Sequence, residues 1–181
     1  VVALPPGERE GHFGPGALIK AVAPAGFCWS SFALANMLID LEPVTLYLLT
    51  GDPAHPWLHT LLGALAVAAL AATLGRRPCE WALRCWNRWL SPAQARWLGV
   101  DAAISPRQAW VGALLGTLSH LALDALMHAD VRPLWPLLAG NPWRGAVSLG
   151  ALHLGCVAAA VAALPVWLAC RLRRRAPQAQ E

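Results

Sequence analysis

Four stretches of this chain, roughly residues 29–50, 57–75, 106–128 and 145–170, are each long and apolar enough to cross the hydrocarbon core of a bilayer, which takes about 20 residues of helix. In lipid no water is present to bond the backbone, so each stretch must satisfy its own N–H and C=O groups as a helix. The expected fold is therefore all-α: a polytopic membrane helix bundle with about four transmembrane helices, forming a single integral membrane domain over residues 1–181. Composition agrees. Apolar residues make up 57% of the chain and charged residues 13%, against roughly a quarter charged in soluble domains. Mean hydropathy is +0.46, and ten tryptophans suit the membrane–water boundary. Residues 1–12 lack the apolar core of a cleavable signal peptide.

The arginines orient the bundle. None of the connections carries more than the one between the second and third spans, which holds Arg76, Arg77, Arg84, Arg88, Arg96 and Arg107; Arg171, Arg173, Arg174 and Arg175 follow the last span. Positive charge is retained on the cytoplasmic side, so this connection and the C-terminus are expected in the cytoplasm of a bacterial inner (cytoplasmic) membrane. Within that connection, residues 79–98 place Trp81, Cys85 and Trp89 on one helical face with Arg84 and Arg88 beside it, the pattern of an amphipathic helix lying in the interface. A short apolar piece, residues 15–22, precedes the first span and is expected to be a thin N-terminal helix. The five cysteines are odd in number and form no CxxC pair; they are expected to be packing residues. No strip of interleaved basic and aromatic residues suggests nucleic acid. Membrane lipid is the expected partner.

Ionisable side chains inside spans are costly and mark function. His120, Asp124 and His128 recur every four residues in SHLALDALMH, so they share one stripe of the third span. Asp40 and Glu42 sit in LIDLEP, and His55 and His59 in HPWLH at the start of the second span. With the orientation above, these groups converge on one layer, the outer half of the membrane. Pro43 disfavours helix at Glu42, so the first span is expected to bend or break there. Imidazoles and carboxylates are the usual ligands of zinc and similar divalent ions, and a neighbouring carboxylate can activate water. The same set without metal could form a proton path, or tie helices together. His128 reads as a solvated boundary histidine, and His153 as an interhelical hydrogen bonder.

In order along the chain, GHFGPG at 11–16, LIDLEP at 38–43, HPWLHTLLG at 55–63 and SHLALDALMHADVRPLWP at 119–136 resemble the four motifs of the LexA-regulated, membrane-bound metal-dependent hydrolases. Those motifs are an N-terminal GH, an acidic turn of PDIDHP type, a histidine pair of HRGxTHS type, and SHxxxD followed by GVxLLWP. The resemblance implies a multi-helix membrane protein with a metal site and hydrolase activity. It implies that His12, His55, His59, His120 and Asp124 are metal ligands, and that Asp40 and Glu42 supply the acidic turn, joining the ligands or activating water. The histidine pair here has three intervening residues where the family has four, and Glu42 stands where the family has Asp. Zinc is the expected ion. The rival reading is a non-catalytic accessory subunit of a larger membrane protein complex, with the polar cluster structural or inherited; a haem or proton-relay protein is a third.

Overall fold

A computed structural model describes residues 13–22, 26–52 and 54–175. All regular elements among them are helices: α1 (Phe13–Val22), α2 (Trp29–Ile39), α3 (Leu41–Thr50), α4 (Leu61–Thr73), α5 (Arg76–Trp89), α6 (Pro92–Leu98), α7 (Pro106–Met127) and α8 (Leu149–Arg175). Three apolar stretches, Trp29–Thr50, Pro106–Met127 and Leu149–Cys170, are long enough to cross a membrane. A fourth crossing is available if α4 and α5, bent by 54°, count as one broken span. The helix α1 has 10 residues, about 15 Å of helix and half of what a crossing needs, and it packs on α8.

The long helix α7 organises the site. Ser105 starts it, accepting from the Gln108 N–H while Gln108 accepts from the Ser105 N–H, with Pro106 following; this capping box satisfies donors that a helix start leaves free. Both α2 and α4 pack on α7. Small residues set how close they come. A Cβ on Gly112 would lie 2.5 Å from the Cys28 carbonyl oxygen, and one on Gly116 would lie 2.7 Å from the Phe32 carbonyl oxygen. Without a hydrophobic drive between helices in lipid, such close backbone approach is what holds neighbours together. Ala35, Ala68, Ala71, Ala72, Ala109 and Ala113 fill the contact layer between the three helices.

The first crossing does break, but at Asp40 rather than at Glu42–Pro43. In the first turn of a helix a proline removes an N–H that has no intrahelical partner, and its ring meets no helical carbonyl one turn earlier. Pro43 is the third residue of α3, so it is accommodated just after the break. The second crossing also differs from expectation. Its helix begins at Leu61, not near Trp57, because Thr60 is the better cap: its hydroxyl accepts from the Gly63 N–H at 3.0 Å. Residues 54–60 are a non-helical segment, and α4 has 13 residues, about 20 Å. The last helix starts at Leu149, four residues after Gly145, whose φ of 72° lies in the left-handed region and ends any earlier helical course. Residues 79–98, expected as one amphipathic helix, fall in two helices, α5 and α6; Trp81 and Trp89 are exposed on α5 while Cys79 is buried. The described cysteines are all free.

Candidate metal centre

Three parts of the chain meet at one point. The break between α2 and α3 presents Asp40, the segment before α4 presents His59, and the last turns of α7 present His120 and Asp124. His59 Nε2 lies 3.0 Å from Asp124 Oδ2, and His120 Nε2 lies 3.1 Å from the same oxygen and 3.0 Å from Asp40 Oδ1. The two Nε2 atoms are 3.4 Å apart, and His59 Nε2 is 3.7 Å from Asp40 Oδ1. Donors around a tetrahedral ion with bonds of roughly 2.0–2.1 Å stand about 3.3 Å apart, so the spacing of these four atoms fits one divalent ion. The side chains of His59, His120 and Asp124 are 0, 1 and 4% exposed, while that of Asp40 is 44% exposed. The group is thus three buried donors with one carboxylate on its open side.

Asn36 fixes one ring. Its Nδ2 donates to the Phe32 carbonyl at 2.9 Å, which turns Oδ1 towards His120 Nδ1 at 3.1 Å. An amide oxygen only accepts, so Nδ1 of a neutral His120 carries the proton and Nε2 keeps its lone pair towards the cluster. Metal-bound histidines are oriented by such outer hydrogen bonds. The close approach at Gly116 makes the contact possible, since a Cβ there would lie 3.0 Å from Asn36 Nδ2. His59 has no equivalent: its buried Nδ1 lacks a hydrogen-bond partner among the described residues.

His55 does not join this group. It is gathered with His128 and Asp130, the donor atoms of the three lying within 4.8 Å of one another. His55 Nδ1 is 2.9 Å from Asp130 Oδ2, and the His55 backbone N–H donates to the same oxygen at 2.8 Å. Burial disfavours the Asp130 charge, but the two His55 bonds outweigh it and hold the carboxyl below its ordinary value. His128 is the C-cap of α7 and its ring centroid is 4.7 Å from that of His55, so it is not simply a solvated residue. His55 also touches the first group, its ring meeting that of His59 edge to face at 4.6 Å.

Glu42 is not at the cluster either. Its carboxylate accepts from the Trp57 N–H at 3.1 Å and the Leu58 N–H at 2.7 Å. The Leu61 N–H bonds the Pro133 carbonyl at 2.8 Å. These bonds answer a physical demand, because backbone groups outside a helix need partners elsewhere in the protein or in water. His12 lies outside the described residues. His153 bonds Leu149 in its own helix, Nδ1 to carbonyl oxygen at 2.9 Å, rather than a neighbouring helix.

The sequence does not single out Asn36 or Asp130 as site residues. Asn36 has one signal, a polar residue inside an apolar span; Asp130 has none, since an acid in a connection is ordinary.

No curated protein and no solved structure matches the chain. A family model described as YdjM inner membrane protein matches residues 55–178. The matched region opens at His55 and takes in the loop histidines, all of α7 and α8, while Asp40 lies upstream of it. Together with the apolar helices, this match over more than half of the sequence places the chain in a membrane family: it belongs to the YdjM inner membrane proteins.

Proposed function

We propose that this chain is a membrane-embedded, metal-dependent hydrolase, with a divalent ion, zinc by the chemistry of its donors, held by His59, His120 and Asp124. One observation carries the reading: three buried side chains from two distant segments turn their donor atoms on each other at 3.0–3.4 Å. Lipid would reject each group alone. Three protein donors with a more open fourth side is the arrangement of catalytic rather than purely structural zinc. When bound, the ion supplies Lewis-acid polarisation of an ester or phosphoester oxygen.

The chain's own residues do the rest. Asp40, half-exposed beside both imidazoles, takes the proton of the attacking water. Glu42 holds the segment before α4 in place through the Trp57 and Leu58 amides and acts as a positioning residue. Asn36 keeps the His120 tautomer. With the arginine-rich connection and the C-terminus in the cytoplasm, the site lies in the outer half of the bilayer, where a phospholipid or lipid-linked ester can reach it from the side. The whole chain acts as one integral membrane domain.

Protein purified in detergent and desalted into metal-free buffer is expected to retain zinc by elemental analysis. His120→Ala loses the ion at this site, whereas Asp40→Asn keeps it but hydrolyses p-nitrophenyl esters and phosphoesters in mixed micelles on the order of 100-fold more slowly. Wild-type protein that carries no metal and takes up no added Zn2+ overturns the proposal. The rival reading, an accessory subunit, draws on the apolar stretch Leu149–Cys170, which is mostly exposed in this chain; metal-free protein that co-purifies with other membrane subunits would favour it.

A further inference from the structure

His55, His128 and Asp130 are left unused by the chemistry above, yet they form the other group of donor atoms close enough to share one ion among the described residues. We propose that these three residues hold a second divalent transition-metal ion beside the first group. The set of two imidazoles and one carboxylate suits zinc, cobalt or nickel rather than magnesium or calcium, which prefer all-oxygen shells.

Three features support it. First, the His55–Asp130 contact of 2.9 Å is as short as the His–Asp contacts of the first group, at 3.0 and 3.1 Å. Second, the residues are held from independent directions. His55 is anchored by its backbone N–H on Asp130. His128 is anchored by Asn141, whose side-chain amide donates to the carbonyls of Ala125 and His128 at 2.7 and 3.1 Å. Asn141 thereby answers carbonyls that the end of α7 leaves free. Third, the exposure is graded: His55 is buried, His128 half-buried and Asp130 exposed, so the group opens to the surface and an ion can enter. The two rings lie 4.7 Å apart, inclined by 31°.

The edge-to-face contact between His55 and His59, at 4.6 Å, puts the second group directly alongside the first. Any role in hydrolysis rests on the function proposed above, but binding does not. The test is stoichiometry. Protein purified in detergent is equilibrated with Zn2+ alone, passed through size exclusion in metal-free buffer and analysed for metal, with Co2+ loading in parallel. The expected result is two ions per chain in the wild type and one in both His128→Ala and Asp130→Ala; His120→Ala loses the other. Because each variant should retain one ion, the retained ion reports that the protein is folded. A wild-type content of one ion, unchanged by His128→Ala and Asp130→Ala but abolished by His120→Ala, overturns the second site and leaves the first intact. Two ions unaffected by His120→Ala would instead sink the first.

Discussion

At the residue scale, the His–Asp cluster is held in place by hydrogen bonds from side chains that are not part of it. Asn36 is the clearest case. Its amide is buried between the Phe32 carbonyl and His120 Nδ1, and a leucine of similar size would leave Nδ1–H without a partner in an apolar layer. Asn36→Leu is expected to weaken metal binding by about 10–100-fold, read by competition with a coloured chelator; unchanged affinity would show that His120 does not need the amide. The asymmetry between the two imidazoles gives that outcome a reference, since His59 Nδ1 has no comparable bond. Glu42 illustrates how identity can mislead. From LIDLEP alone it reads as a water-activating carboxylate, because any acid inside a span does. Its oxygens are taken by two backbone amides, a demand created by a loop whose existence the sequence did not announce.

At the element scale, the separation of α2 from α7 is set by glycines. Gly112 and Gly116 stand one helical turn apart on α7 and both face the backbone of α2, a small-residue motif typical of apolar helix pairs. Substituting Gly116→Val puts methyl groups where a Cβ alone already lies 2.7 Å from the Phe32 carbonyl oxygen. The helices must part, and Asn36 moves away from His120. Gly116→Val is expected to lower the melting temperature in detergent and to lose the first ion together. A variant that melts early yet binds zinc with native affinity would uncouple the packing from the site. The break at Asp40 belongs to the same scale: had α2 run on as one helix into α3, Asp40 would follow the helix line instead of standing at a corner against both imidazoles. The sequence does not single out GALLG at 112–116, because nothing in it shows which helix those glycines touch.

At the scale of the whole molecule, charge sets the orientation and apolar length sets the crossings. The connection spanning α5 and α6 carries most of the internal arginines, while the connection after α7 carries two, Arg132 and Arg144. A single reporter cysteine at Ser91 in a background cleared of the five native cysteines is expected to resist a membrane-impermeant thiol reagent in intact cells. One at Gly140, on the connection between α7 and α8, is expected to react. Labelling in the opposite sense would invert the expected orientation and put the His–Asp cluster towards the cytoplasm. Both polar groups sit near the same end of α7, where the helix stops at Met127 and His128 caps it, so the orientation of this one helix decides which compartment the site faces.

Apolar length and low charge dictated a helical membrane bundle before any contact was known, because segments in lipid must close their backbone bonds internally. Periodicity dictated that His120 and Asp124 share a face of α7, and the Ser-Pro pair at 105 and 106 marked where that helix begins. From the sequence His59 is the better candidate of the two histidines to meet them, but nothing in it shows where His55 goes instead. The two are four residues apart and would share a face of any helix, but Thr60 caps α4 late and leaves both in irregular chain, where spacing no longer determines direction. Sequence could not draw Asp130 to His55, 75 residues away, or Asn36 to His120, 84 away. Those pairings arise only when small residues let α2 and α4 settle against α7, a matter of distances between helices that no single segment encodes.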